Sequence, residues 1–455
     1  MGFIDTFLNN LPEVQPPTQK RLAFNEKLKW TLITLVLFFI LGLVPLYGLG
    51  ANALQQFEFL SVILGASFGS IISLGIGPIV TASIVLQLLN GSGIVKFDLT
   101  SHEGKKRYQG IQKLLSIFFI LFEGGIYVGM GGLSPAAGIS PGVLIFQLFL
   151  GGILIMFMDE VVSKWGFGSG ISLFIAAGVS QSLFIRAFNP LPSPTNPGIA
   201  SGAVPGLIQS LSSGDAVNAG LMLAGIIATV VVFIMVVYGQ SMKVEIPLSF
   251  GRVRGYGVRW PLHFFYTSNI PVILVAALIA NVQLFAKLLA NWGYPILGTF
   301  AGNNPISGLA SWLYGPQVVR MILTNSLSMI DLWSALVYMG FMVIGAVVFS
   351  IFWVQTSGLD PRAQANQMLS SGLQIPGFRK DVRVLERMLG RYIWPLTVLG
   401  GIAVGILAAL ADISGALTSG TGLLLTVSIV YRLYEEIAQQ HLMDMNPMMR
   451  KFITG

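Results

Sequence analysis

The stretch SFGSIISLGIGPIVT, Ser67–Thr81, decides how this chain is read. It sits in a run without charge from Phe59 to Val95, 37 residues long. About 20 apolar residues carry a helix across a bilayer core, so the run is too long for one span. Gly65, Gly69, Gly75, Gly77 and Pro78 interrupt it, and residues of this kind break a helix rather than build one. Broken backbone at membrane depth is tolerated only where it lines a cavity or is buried in protein. The stretch therefore predicts a span in two pieces, hinged at the glycines. The second piece begins near Pro78, where a missing N–H costs little.

The rest of the chain fits a membrane protein. Of 455 residues, 54% are hydrophobic and 10% charged, against about 25% charged in soluble domains. The mean hydropathy is +0.76. The first 27 residues carry Asp5, Glu13, Lys20, Arg21, Glu26 and Lys27 and have no long apolar core, which argues against a cleavable signal peptide. With no cysteine, disulfides and thiolate metal sites are excluded. The three histidines, His102, His263 and His441, are far apart in sequence. No metal, cofactor or enzymatic chemistry is expected.

Apolar runs predict ten spans, at 28–48, 57–90 (the broken one), 111–132, 143–162, 169–188, 216–240, 268–290, 331–354, 393–412 and 415–437. With the N-terminus inside, 23 of the 26 Lys and Arg residues fall inside, leaving Arg186, Lys287 and Arg320 outside. That bias places both termini in the cytoplasm. The expected division is an amphipathic arm (1–27), an N-terminal half of five spans (28–188), an external linker (189–215), a C-terminal half of five spans (216–437) and a cytoplasmic tail (438–455). Five is odd, so the second half inserts inverted relative to the first, the plan of many transport proteins. The arm reads as an interfacial helix, with Phe3, Phe7, Leu8 and Leu11 on one face, or as a disordered tail.

Two inside loops are long. VEIPLSFGRVRGYGVRWPLHF in loop 241–267 alternates apolar and polar residues around glycines, which predicts a hairpin with Arg252 and Arg254 near its tip. In loop 355–392, Pro376-Gly377 marks a turn ahead of Arg379, Lys380 and Arg383. Two readings of this basic charge stand: topology with attraction to anionic lipid, or docking of a polyanionic partner such as RNA through phosphate contacts.

Few polar groups lie within the spans. Glu123 is mid-span; Thr81 and Gln87 lie in the second span and Asn281 in the seventh. Thr81, Glu123 and Asn281 meet if spans two, three and seven are neighbours, with interhelical hydrogen bonding as their use. Asp159, Glu160 and Asp412 lie at span ends, where solvation explains them. GFGSGIS at 166–172 reads as a short hairpin between spans four and five, since a nucleotide loop needs a preceding strand.

Taken together, LGIGPIVTASIVLQLL (74–89), GSGISLFIA (168–176), TSNIPVIL (267–274), IPGFRKD (375–381) and ALTSGTGLLLTVSIVYRLYEE (416–436) resemble the SecY family, the pore-forming subunit of the protein-conducting channel, in its archaeal and eukaryotic branch. The resemblance implies an all-α fold of ten transmembrane helices in two inverted halves around a central pore. It implies an apolar pore ring at Ile76, Val80, Ile171, Ile175, Ile273 and Leu425. It implies a plug helix at about 57–70, with Phe57, Leu60, Val62, Ile63, Leu64 and Phe68. It places a polar cluster at a lateral gate on Thr81, Glu123 and Asn281; many relatives carry Gln where Glu123 stands. Ribosome docking falls on Arg252, Arg254, Arg379, Lys380 and Arg383. Implied partners are a small single-span SecE-like gamma subunit, a small beta subunit, the ribosome through its RNA, signal sequences and nascent chains, and the lipid bilayer. The expected place is an archaeal-type cell membrane.

Spacing is consistent with the ring. Ile76 and Val80 are i and i+4, as are Ile171 and Ile175, so each pair shares a helical face. A ring of branched apolar side chains seals against ions by dewetting and offers a passing peptide no hydrogen bond. Each isoleucine taken alone also fits plain core or lipid packing. The competing function is a ten-span secondary transporter with a broken substrate-site helix, which requires a polar midplane cavity.

Overall fold

A computed structural model describes the chain from Leu11 to Met445, except residues 20–21, 51–68, 92, 96, 98–101, 130, 132, 193–197, 251–256, 268–269, 292–293, 302–303, 371–372 and 375–380. Helices dominate. In order they are α1 (Phe24–Leu43), α2 (Gly77–Gly91), α3 (His102–Gly129), α4 (Pro141–Trp165), α5 (Gly170–Phe188), α6 (Ala203–Ser212) and α7 (Ala216–Ser241). After strands β1 (Lys243–Phe250) and β2 (Gly257–His263) comes α8 (Ile270–Asn291). The two-residue strands β3 (Phe300–Ala301) and β4 (Asn304–Pro305) precede the short helices α9 (Leu309–Trp312) and α10 (Val318–Leu323). The chain closes with α11 (Met329–Thr356), α12 (Pro361–Ser370), β5 (Leu373–Gln374), α13 (Val382–Ser414) and α14 (Gly420–Met445).

Six helices among the described residues are long and apolar enough to cross a membrane: α3, α4, α5, α7, α11 and α13. The other four places read as spans also hold helices, and three of them differ for a reason visible in their residues. Glu26, Lys27 and Lys29 charge the start of α1. The helix α2 has only 15 residues, because the span is broken ahead of it. The helix α8 runs 22 residues with a single charge, Lys287, and is described in full over the apolar stretch 270–279. Arg432, Glu435 and Glu436 charge the middle of α14.

The residues fall into two compact units, residues 1–181 with 429–455, and Ser182–Ser428. In the first unit α2 packs on α3, α3 on α4 and α4 on α1. Leu46, Leu74, Ile120, Leu133, Leu144 and Leu148 form a buried apolar cluster there. Residues 12–15 lie across the ends of α3 and α4, held by charge. Lys113 pairs with Glu160 and donates to the Pro12 carbonyl. Lys164 pairs with Glu13 at 2.5 Å, the Val14 N–H donates to Glu160 at 2.9 Å, and the Trp165 indole donates to the Gln15 carbonyl at 2.9 Å. The Lys164 hydrogen bond holds the Glu13 carboxyl below the usual carboxylate range. Of the interfacial helix expected in the arm, Phe3, Phe7 and Leu8 lie outside the described residues, and Leu11 lies on a bend ahead of non-helical chain.

In the second unit α13 packs along α11 and against α7, α8 and α12. Val236, Val275, Met342, Val404, Ala408 and Leu424 lie at its core. The expected hairpin forms: β1 and β2 pair antiparallel from Lys243↔His263 to Ser249↔Gly257, with the tip at 251–256 outside the described residues. No alternation of residues signals a third strand, yet β5 adds to the β1 edge through Ser249↔Gln374 and Phe250↔Leu373. Beneath the sheet, Ile246, Leu262, Val354, Met368, Leu385 and Leu389 bury one another. The Tyr266 hydroxyl donates to the Leu359 carbonyl at 2.7 Å, and burial raises its phenol above the ordinary range. The two long loops are thus one folded module.

Candidate functional site

The site is built around the break in the second span. Gly69 and Gly75 take the left-handed backbone, φ +85° and +56°, which only glycine adopts at no cost. They turn the chain through 69–76, and α2 starts at Gly77 with Pro78 in its first turn. The Val80 N–H still donates to the Ile76 carbonyl at 3.0 Å, so Ile76 and Val80 keep helical spacing across the boundary. Ile76 is buried and Val80 half-buried. The break is pinned from two sides. The Leu46 N–H donates to the Gly69 carbonyl and the Ile71 N–H to the Val44 carbonyl, both at 2.9 Å. On the far side Gly151 of α4 lets the backbone close in: a Cβ there would stand 1.9 Å from the Ile71 carbonyl oxygen. The expected plug residues Phe57, Leu60, Val62, Ile63, Leu64 and Phe68 lie outside the described residues.

Thr81 of α2 and Glu123 of α3 share a side-chain hydrogen bond. These two members of the polar trio are brought together; the side chain of Asn281, in α8 of the other unit, lies outside what the structure describes. Ile171 and Ile175 stand on the first two turns of α5, Ile175 buried and Ile171 half-buried. Ile273 is half-buried on the first turn of α8, and Leu425 is buried in α14. Among the docking residues, Arg252, Arg254, Arg379 and Lys380 lie outside the described residues. Arg383 is exposed at the start of α13, where its N–H donates to the capping Asp381 carboxylate at 2.9 Å.

Two carboxylates do more than solvation explains, which corrects the reading of them as ordinary span ends. Residues 166–169 make the expected tight hairpin between α4 and α5, and Asp159 of α4 caps the helix that follows. Its Oδ1 accepts the Ile171 N–H at 2.8 Å, and the carboxylate also takes the Gly170 N–H and the Ser163 hydroxyl. In the second unit Asp412 of α13 accepts the Gly420 N–H at 2.7 Å, at the start of α14. The Tyr338 hydroxyl of α11 donates to its other oxygen at 2.8 Å. The sequence carried a signal for both: an Asp in the last two turns of a span, then a glycine opening the next.

Comparison with known proteins fixes the family. The family model described as SecY matches residues 70–434, and that described as the plug domain of Sec61p matches residues 36–69. The chain belongs to the SecY family. A protein translocase subunit SecY from Methanothermobacter thermautotrophicus is 50% identical over 447 residues, 97% of this chain and 96% of that one. The SecY subunit of Methanocaldococcus jannaschii is 44% identical, covering 98% of both. Among solved SecY-like structures, one described as a protein-conducting channel superposes with a TM-score of 0.81 at 45% identity, over 96% of this chain and 97% of that chain. Sec61 in a canine ribosome–channel complex from the endoplasmic reticulum gives 0.79 at 44% identity, with the same coverage. None of these relatives supports the transporter reading. The SecY and plug matches meet at residues 69 and 70, inside the glycine break.

Proposed function

We propose that this chain is the pore subunit of a Sec-type translocon, passing unfolded secretory polypeptides across a membrane and releasing transmembrane segments sideways into lipid. One observation carries the reading: the SecY match and the plug match together cover residues 36–434 and join at the broken span. On this reading ten helices cross the membrane in two inverted halves, with both termini in the cytoplasm of an archaeal-type cell. Ile76, Val80, Ile171, Ile175, Ile273 and Leu425 form an apolar waist that excludes ions by dewetting. The segment at 57–70 is its plug. Thr81, Glu123 and Asn281 tune the lateral gate. Arg252, Arg254, Arg379, Lys380 and Arg383 meet ribosomal RNA phosphates. A SecE-like gamma subunit and a small beta subunit complete the complex, and energy comes from a partner.

The test is to place a photo-crosslinking side chain at position 76 or 273 and stall a secretory chain in the reconstituted complex. The expected result is an adduct at both positions and none at lipid-facing Val230. No adduct at 76 and 273 overturns the reading.

A further inference from the structure

The two aspartates at the helix hairpins share a geometry that the ring alone does not explain. Each sits near the end of one long helix, Asp159 on α4 and Asp412 on α13. Each accepts the first backbone N–H groups of the helix that comes next, Ile171 on α5 at 2.8 Å and Gly420 on α14 at 2.7 Å. Those N–H groups are the orphan donors of a helix start, and an anionic acceptor suits the positive end of the helix dipole. Each hairpin is also closed so tightly that only glycine fits. A Cβ on Gly170 would stand 2.6 Å from the Asp159 Cα, and one on Gly420 would stand 2.1 Å from the Ala408 carbonyl oxygen.

The helices so fixed are the ones bearing proposed ring residues. Ile171 is held through its own N–H, Ile175 lies one turn on, and Leu425 lies five residues past Gly420. A helix rises 1.5 Å per residue, so a start displaced by one residue moves the side chain along the axis by that much and turns it by about 100°. Asp412 is itself fixed by the Tyr338 hydroxyl, which orients the carboxylate toward Gly420.

We propose that Asp159 and Asp412 are positioning residues for the seal: they set the axial height and rotation at which α5 and α14 present Ile171, Ile175 and Leu425. The proposal rests on the pore-ring reading above. It assigns the sealing fit to two carboxylates as well as to the apolar side chains.

The experiment measures resting ion leak of the full reconstituted complex in planar bilayers, with thermal unfolding in parallel. Asp159→Leu and Asp412→Leu remove the acceptor, while Asp159→Asn and Asp412→Asn keep an oxygen for the N–H. The expected result is a leak raised roughly tenfold in each Leu variant, which corresponds to about 1.4 kcal/mol in a closed–open equilibrium, and a leak close to wild type in each Asn variant. A merely structural role lowers the melting temperature and leaves the leak of the folded fraction unchanged; that result overturns the proposal. Should the Leu variants fail to assemble, Tyr338→Phe decides it, since it removes one hydroxyl that orients Asp412: a raised leak supports the proposal and a wild-type leak overturns it. The triple variant Ile76→Gly, Val80→Gly, Ile273→Gly is run beside them. If it leaks and the Asp variants do not, the positioning role fails and the ring stands. If none leaks, the ring reading falls and the proposal with it.

Discussion

The arm of the first unit and the loop module of the second hold non-membrane chain in place by opposite means. Residues 12–15 are fastened by Lys113, Glu160, Lys164 and Glu13, through ion pairs and hydrogen bonds to backbone. The module is fastened by apolar burial beneath a three-stranded sheet, with Leu262, Leu385 and Leu389 almost wholly buried. Charges near a surface are screened by salt and respond to pH; buried apolar contacts do neither. The arm is thus a fastening that solution conditions loosen, and the module one that only a change of side chain loosens.

The largest break in this contrast comes from the module. Leu389→Ala removes a side chain with no exposed surface and costs about 3 kcal/mol. Faster hydrogen–deuterium exchange at β1, β2 and α12, with the arm unmoved, is the expected outcome. A smaller effect comes from the arm. Glu160→Gln takes the counter-charge from Lys113 and leaves one oxygen where Lys113 and the Val14 N–H had two, costing about 1–2 kcal/mol. Exchange at Val14 rises, and its difference from wild type shrinks with added salt, which loosens the wild-type pair, while the module keeps its protection. If salt unfastens both alike, the distinction fails.

The smallest effect is Glu13 with pH. Its folded pKa is lowered, chiefly by the hydrogen bond from Lys164. Its contribution is therefore complete above the unfolded value near pH 4.3 and is lost as pH falls through the lower folded value. Glu13 is well exposed, so after solvent screening it is worth no more than about 0.5 kcal/mol. Exchange at Val14 measured between pH 7 and 3 checks the direction, with Glu13→Gln flattening the profile.

Much of this was legible in the residues. The break was readable because glycine and proline act locally: Gly69, Gly75 and Pro78 specify a turn and a helix start whatever surrounds them. The hairpin was readable because strand alternation is a local pattern too. The six apolar spans were plain from hydropathy, while α2 was shortened by the same break that made it recognisable. What stayed hidden depends on partners far along the chain. β5 exists because Ser249 and Phe250 offer an edge more than a hundred residues earlier. The helix α6 lies in a stretch read as linker, and α9 and α10 are one or two turns long, too short for a period to show. The capping roles of Asp159 and Asp412 appear only once the following helix has folded back. Nor does any local pattern say that Glu123 finds Thr81; only the packing of α3 on α2 brings them together.

The helix α13 has 33 residues, about 50 Å at 1.5 Å per residue, against a hydrocarbon core of about 30 Å. Its first turns are packed into the loop module through Leu385 and Leu389, and its last turn carries Asp412. Both ends therefore belong to one stiff rod. One continuous helix thus joins the module to the Gly420 hairpin. Pro395 lacks the N–H that would bond one turn back, so the ladder of that rod is missing one rung between its two ends.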